Sequence, residues 1–148
     1  MIEQDFDRLL SGAVDSVLET MFYSAALGPA EPEIGTGVLE ARLAFRGRPS
    51  GTLSVCLSES TARQLAAGFL GEEEDALTDS QPGEMVCELA NMLCGSLVST
   101  LATEGRFDLT SPELVPAGTP AASPDQPLAR QSFELESGIL TVTLRLAA

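Results

Sequence analysis

Apolar and polar residues alternate along the chain with two periods, and the longest stretches have the period of a helix. In residues 3 to about 26, apolar side chains recur every three or four positions, and acidic residues near the start favour the positive end of a helix dipole. A second stretch follows TDSQPG, which offers cap residues and a proline suited to a first turn, and it continues to about Thr103. The pattern therefore predicts two long amphipathic helices, over about 3–26 and 80–103.

Alternation with a period of two marks the strands of a sheet. LEARLAF at 39–45 and GTLSVCL at 51–57 flank a Gly/Pro-rich turn and predict a β-hairpin. QSFELESGILTVTLRL at 131–146 contains two further runs joined by a tight turn. FDLTSPELV at 107–115 is typical of an edge strand, because Pro112 cannot donate to a strand ladder.

The remaining segments connect these elements. Residues 58–71 predict a short helix with Ser58 or Ser60 as its N-cap and Gly71 as its C-terminal stop. The acidic run EEED at 72–75 is typical of a solvated loop, and the Pro/Ala-rich residues 115–127 predict another loop.

Together these elements predict an α+β domain. Each alternating strand buries one face, so the sheet needs a helical layer over that face. We therefore expect the two long helices to pack on a mostly antiparallel sheet. A chain of 148 residues with 44% hydrophobic content is long enough for one core and too short for two ordinary domains, so residues 1–148 are predicted to form a single domain.

The two halves of the chain resemble each other, which predicts a duplicated helix-plus-strands unit. GTLSVCL and GILTVTL share the pattern G-x-L-x-V-x-L, and DSVLETMF in the first helix aligns with EMVCELAN in the second. The paired helix positions are Asp15 with Glu84, Glu19 with Glu88, and Phe22 with Asn91. The last pair leaves a complete polar site only on the second helix. Chance is the alternative explanation, because strand alternation recurs in any half-buried sheet.

The charge of the chain excludes several classes of partner. Its 8 basic and 22 acidic residues give a formal net charge of −14, whereas nucleic acids and anionic membranes are bound through clustered basic residues. An acidic surface serves solubility or attracts a basic site on a partner. The start lacks a signal-peptide pattern, and no run approaches the roughly 18 apolar residues of a membrane span. We expect a soluble, cytoplasmic protein that binds neither nucleic acid nor membrane.

The chain contains few types of side chain that could act as nucleophiles, general bases or metal ligands. The chain has no histidine, which removes Ser-His-Asp, Cys-His and most zinc mechanisms. Its three cysteines, Cys56, Cys87 and Cys94, lack CxxC spacing and lie in apolar segments, so we predict core thiols rather than a disulfide scaffold or a metal site. Any chemistry must use carboxylates, amides or a partner's groups.

Four residues of the second helix form a polar stripe, which interrupts an otherwise apolar segment. Spacings of four, three and four place Glu84, Glu88, Asn91 and Gly95 along one face. A solvent-facing stripe is the ordinary explanation. However, Asn and Gly cost about 0.6 and 1 kcal/mol relative to Ala inside a helix, so their presence needs a reason. Asn91 offers a donor and an acceptor beside Glu88, and Gly95 admits another backbone closely.

These residues carry a resemblance to a known family. The sequence resembles the CheC/CheX/FliY group of chemotaxis phosphatases and flagellar relatives, and it is most similar to CheX. The resemblance rests on the ELAN stretch at 88–91, the acid four residues before it, Gly95 and SPELV at 111–115. It also includes FRGRPSGTL running into STARQLAAGFLG, and it covers roughly residues 8–146.

The resemblance implies a phosphatase that acts on the phospho-aspartate of a small CheY-like response regulator. Asn91 would hold the attacking water in line with the scissile bond, as a glutamine does in GTPases. Glu88 would pair with the receiver's active-site lysine, and Glu84 and Gly95 would contact the partner. The receiver would supply the acyl phosphate and Mg²⁺, so no cofactor is expected in this chain. One live site, with Glu19 marking an inactive copy, is typical of CheX rather than CheC.

Two other functions stay open. One is a module of the same fold that binds a receiver, or a flagellar or signalling protein, without accelerating hydrolysis; the other is an acidic structural domain. The Glu-Asn pair favours the phosphatase, because a binding surface does not need an amide that positions water. CheX-like proteins pair through their sheets, and the C-terminal run GILTVTLRL lacks a charged guard, so we predict a homodimer at that strand edge. The sequence identifies neither the receiver nor the pathway.

Overall fold

The computed structural model describes residues 6–22, 25–31, 38–47, 50–101, 107–116 and 128–146. In this part of the chain the helices are α1 (Phe6–Met21), α2 (Glu59–Leu70) and α3 (Gln81–Leu101), with a short 3-10 helix at Glu74–Ala76. The strands are β1 (Gly28–Pro29), β2 (Val38–Arg46), β3 (Gly51–Ser58), β4 (Asp108–Leu109), β5 (Glu113–Val115), β6 (Ala129–Leu135) and β7 (Gly138–Leu146).

The strands form one antiparallel sheet, covered by helices on its apolar face. Their order is β1-β6-β7-β3-β2-β4, and β5 also pairs with β2. Along β3, Leu53, Val55 and Leu57 are buried while the residues between them are only partly buried. The buried faces of α1 and α3 pack on this side in one hydrophobic core. The predicted α+β class, with helices layered on a mostly antiparallel sheet, is confirmed.

The first long helix is shorter than the predicted range of 3–26. It ends at Met21, and residues 3–5 lie outside the described part. The backbone N–H of Leu27 donates to the carbonyl of Glu134 at 2.7 Å, because this segment pairs with β6. The chain must leave the helix to reach that extended pairing. The second long helix agrees with its prediction from Gln81 to Leu101, beyond which residues 102–106 lie outside the described part.

The short connecting elements follow local sequence signals. The Ser58 hydroxyl accepts the N–H of Thr61 at 3.1 Å and caps α2, whereas Ser60 lies inside the helix. Gly71 ends α2 in the left-handed conformation, at φ 68°. The acidic run is exposed, as predicted, and its end enters the 3-10 helix. Most of the predicted loop 115–127 lies outside the described residues.

The position of the C-terminal strand corrects one prediction. β7 pairs with β3 on one side and with β6 on the other, so it lies in the middle of the sheet. The argument that GILTVTLRL offers a free edge for a homodimer is therefore wrong. Strand order is set by contacts between distant segments, which alternation within one strand does not reveal. The homodimer stays a prediction without that argument, to be checked by light scattering.

The sheet has the symmetry expected of a duplicated unit. The repeated pattern equates Val55 with Val142, and these two residues are also register partners across β3 and β7. A pseudo-two-fold axis therefore passes between them. The short strands are exchanged between the halves, since β1 pairs with β6 whereas β4 and β5 pair with β2. Each long helix is thus followed by a short strand that borders the opposite hairpin.

Candidate functional site

The polar stripe lies on the exposed side of α3. Glu84, Glu88 and Asn91 are exposed, while Leu89 and Leu93 are each 1% exposed and anchor the opposite side in the core. At the start of the helix, the Gln81 side chain accepts the N–H of Thr78 at 2.7 Å, and Pro82 occupies the first turn. The stripe therefore rests on a helix that is fixed at its beginning and along its buried face.

A β-bulge faces this stripe from the edge of the sheet. Phe45 of β2 pairs with Leu109, and Arg42 pairs with Glu113, so residues 110–112 oppose residues 43–44, three against two. Such an extra residue bends a strand and redirects its side chains. The Thr110 N–H donates to the Ala44 carbonyl, and the Ala44 N–H donates to the Thr110 hydroxyl, both at 2.9 Å. The hydroxyl thus replaces a ladder acceptor at the bulge.

Close packing joins the bulged segment to α3. A Cβ added at Gly83 would lie 2.6 Å from Cδ1 of Leu114, so the glycine lets β5 approach the first turn of the helix. Leu114 nevertheless remains 47% exposed. A methyl group at position 83 would therefore have to displace the Leu114 side chain from the first turn of α3.

Between these two walls lies a groove of about 800 Å³. One wall is α3 and the residues just before it; the other is the bulged segment, with Leu39 of β2 and Glu59 of α2 alongside. The charged side chains that line it are all carboxylates: Glu59, Asp79, Glu84 and Glu88. No arginine is among its lining residues in the described part of the chain. The groove therefore suits a partner with basic groups.

The structure brings three of the four predicted site residues together. Glu84, Glu88 and Asn91 line the groove, whereas Gly95 lies further along the helix and is not among the lining residues. Apart from its chain neighbours and the backbone of α3 itself, no described atom lies within 4 Å of a Cβ built at Gly95, so packing inside the described molecule does not require the glycine. Thr110 and Ser111 also line the groove, and neither was predicted as a site residue. Ser111 begins the SPELV stretch, whereas Thr110 had no signal beyond its place in a predicted edge strand.

The groove offers positioning groups rather than a nucleophile. Burial raises the pKa of the Cys87 thiol, which lines the groove, and the Glu84 carboxylate raises it further. Burial also raises the pKa of Cys94 to about 12. A thiol held protonated is a poor nucleophile. The remaining functional groups can accept a hydrogen bond from a cation or orient a water molecule.

The three cysteines are free, but they are not all core thiols as predicted. Cys94 is buried, whereas Cys56 and Cys87 are only partly buried. Cys56 lies on the face of the sheet away from the helices, where burial and then Glu40 raise its pKa to about 12. Within the described ranges, no three acidic, Cys or His side chains come together as a metal site.

The first helix carries a reduced version of the same arrangement. Asp15 and Glu19 are exposed on α1 like their counterparts on α3. A groove of about 560 Å³ lies between α1 and β1, lined by Asp15 and Gly28 among others. Phe22, in the place of Asn91, follows the end of the helix, is 3% exposed and stacks on Phe69 with ring centroids 5.1 Å apart. The first helix therefore lacks the amide that Asn91 provides on α3.

Comparisons with known proteins agree with the fold. The family model described as "Chemotaxis phosphatase CheX" matches residues 40–134. The chemotaxis protein CheX of Vibrio vulnificus is similar over 99% of both chains, with 22% identity and a TM-score of 0.78. In the CheX-CheY-BeF3-Mg complex of Borrelia burgdorferi, a chain with 23% identity and a TM-score of 0.75 is similar over 99% of this chain and 100% of its own.

A putative chemotaxis protein of Desulfovibrio vulgaris Hildenborough is similar over 95% of both chains, with 25% identity and a TM-score of 0.75. No curated protein sequence matches the chain. In the described part of the molecule, no helix is both long and apolar enough to cross a membrane.

Proposed function

The chain belongs to the CheX family of chemotaxis phosphatases, and on that premise we propose that it hydrolyses the phospho-aspartate of a CheY-like response regulator with Glu88 and Asn91. The observation that carries this proposal is the side-by-side exposure of an acid and an amide on a helix anchored in the core, in a groove whose described lining residues include no basic side chain. Such a groove cannot neutralise a phosphoryl group by itself, so the partner supplies the positive charge.

The proposed mechanism divides the chemistry between the two proteins. The receiver provides the acyl phosphate, whose leaving group is a carboxylate, together with Mg²⁺ and a lysine that stabilise the phosphoryl oxygens. This chain needs no cofactor of its own. Asn91 enters the receiver's site, where its amide donates to and accepts from a water molecule and holds it in line with the phosphorus–oxygen bond. The Borrelia complex, which contains CheY, BeF3 and Mg, supports a partner of this type.

Glu88 is proposed to fix the register of docking. It lies one turn before Asn91 on the same face, so a contact between its carboxylate and the receiver's lysine places the amide over the phosphoryl group. Glu84, one further turn away, adds a negative charge at the rim of the interface. A receiver works in the cytoplasm, and we place this protein there with it.

The decisive experiment is phosphate release from a panel of the host's phosphorylated receivers, with and without catalytic amounts of this protein. We expect the lifetime of at least one phosphorylated receiver to shorten several-fold or more. If a receiver binds but keeps its lifetime, the protein is instead a non-catalytic interaction module of the same fold. If no receiver binds, the proposed function is wrong.

A further inference from the structure

We propose that the bulged segment opposite α3 is a second receiver contact and that it decides which receivers are accepted. The name "bulge wall" is used here for its groove-lining residues, which are Leu109, Thr110, Ser111, Pro112 and Leu114. The inference rests on the proposed function, because the occupant of the groove is the phosphorylated receiver. It assigns to that partner a surface on the sheet edge, separate from the reacting groups on the helix.

An exposed apolar side chain marks the bulge wall as a contact surface. The large hydrophobic residues exposed in the described part of the molecule are Met21, Leu27, Leu70, Leu114 and Leu128. Of these, Leu114 is the one that lines the groove together with Glu88 and Asn91. Pro112 and Leu109 continue the apolar surface beside it. A partner that covers this wall would bury apolar area next to the reacting groups.

The bulge wall is held in place before any partner arrives. Ala44 directs both of its backbone hydrogen bonds to Thr110, one of them through the hydroxyl. Pro112 has a restricted backbone and needs no ladder partner for a missing N–H. Leu114 packs against Gly83 at the start of α3. A contact surface that is ordered in advance loses less conformational entropy on binding, which favours affinity and selectivity.

The acidic lining of the groove favours a phosphorylated receiver as its occupant, and the α3 wall and the bulge wall would contact different parts of that receiver. The charged lining of the groove is entirely acidic, so it complements a receiver surface that presents a lysine beside the phosphoryl group. Acyl phosphate, metal and lysine are common to phosphorylated receivers. Contacts of Glu88 and Asn91 with these groups therefore cannot distinguish one receiver from another. The bulge wall would distinguish one receiver from another, because it contacts the receiver outside its reacting centre.

The first test compares two matched leucines by steady-state dephosphorylation of a phosphorylated receiver. Leu114 and Leu128 are 47% and 45% exposed, but only Leu114 lines the groove. Leu114→Ser should raise KM by roughly tenfold, equivalent to about 1.4 kcal/mol, with kcat within about twofold of wild type. Leu128→Ser should leave both constants unchanged. Equal KM values for the two variants would overturn the inference.

The second test examines the hydroxyl that holds the bulge. Thr110→Val keeps the shape of the side chain but removes the acceptor for the Ala44 N–H, whereas Thr110→Ser keeps it. We expect Thr110→Val to raise KM and to reduce the ratio of kcat/KM between a preferred and a poor receiver. Thr110→Ser should keep the wild-type KM and the wild-type ratio. A change in melting temperature with an unchanged receiver ratio would assign Thr110 a structural role only and remove it from the inference.

Direct binding separates this inference from the proposed function. The probe is a receiver loaded with beryllofluoride and Mg²⁺, titrated onto wild type, Leu114→Ser and Leu128→Ser. Acceleration of hydrolysis with no effect of Leu114→Ser overturns the bulge wall alone. Binding that depends on Leu114, in a wild-type protein that does not accelerate hydrolysis, supports the bulge wall and overturns the phosphatase. Absence of receiver binding overturns both.

Discussion

At the scale of single residues, Asn91 is the side chain on which the proposed chemistry depends. Asn91→Ala should lower kcat by on the order of 10²-fold or more, about 2.7 kcal/mol, by analogy with groups that act only in the transition state. Binding of the beryllofluoride-loaded receiver should stay close to wild type. Stopped-flow dephosphorylation measures the first and titration the second. Turnover equal to wild type would show that the amide does not position water.

The stability of this variant serves as its control. Asn91 is exposed, and replacing Asn by Ala removes a helix-propensity penalty of about 0.6 kcal/mol. The melting temperature should therefore stay the same or rise slightly. A large fall would mean that the asparagine has a structural role that its exposure does not show.

Glu88 should behave differently from Asn91, because its proposed partner is a charge that is buried on docking. Glu88→Ala leaves the receiver's lysine uncompensated in the complex, so both kcat and receiver affinity should fall, the affinity by roughly tenfold or more. Glu59→Ala provides a comparison, since Glu59 is another acid that lines the groove but lies on α2. Equal effects of the two substitutions would indicate general electrostatic attraction rather than a specific pair.

At the scale of elements, Gly83 and Gly95 of α3 differ in the space around them, so alanine substitutions at the two positions should have different effects. Gly95 has open space around a built Cβ, whereas Gly83 faces Leu114 at 2.6 Å. Gly95→Ala should raise the melting temperature by about 2–4 °C, from a helix-propensity gain of about 1 kcal/mol, and weaken receiver binding if a partner backbone approaches there. Gly83→Ala should displace Leu114 and alter KM. Unchanged binding by Gly95→Ala would remove Gly95 from the proposed partner contacts.

Elements whose signal is local could be predicted, and those that depend on distant pairing could not. The α3 stripe follows from residue spacing within one helix, and the turn of the second hairpin follows from alternation on either side of it. The opposite wall of the groove could not be predicted in the same way. The bulge arises because β4 and β5 pair with the same strand, β2, in registers that differ by one residue. Since β2 lies about 65 residues earlier in the chain, no local pattern around the bulge reveals it. The central position of β7 depends in the same way on its pairing with β3.

At the scale of the whole molecule, the raised thiol pKa values predict a loss of stability in alkali. Burial raises the pKa of the Cys56 and Cys94 thiols to about 12 in the folded state, whereas the pKa of a thiol in an unfolded chain is 9.0. Between these values the unfolded chain releases protons that the folded chain retains. The stabilisation present below pH 9 is therefore lost as the pH rises toward 12.

Thermal melts across that range test the prediction. The melting temperature should fall steadily as the pH rises, and the fall should be shallower in a variant with Cys56→Ser and Cys94→Ala together. Other groups also titrate in alkali, and the variant separates their contribution from that of the thiols. Parallel curves for wild type and variant would contradict the assignment to these two side chains.

The stacked rings of Phe22 and Phe69 make the divergence of the two halves difficult to reverse. Phe22→Asn would bury an amide and open a cavity in the core, at a cost on the order of 3 kcal/mol or more. The new amide would also lie past the last residue of α1, so it would not join Asp15 and Glu19 on the helix face. A single substitution therefore cannot place a second amide on this half of the molecule. The packing around Phe69 and the end of α1 would both have to be rebuilt first.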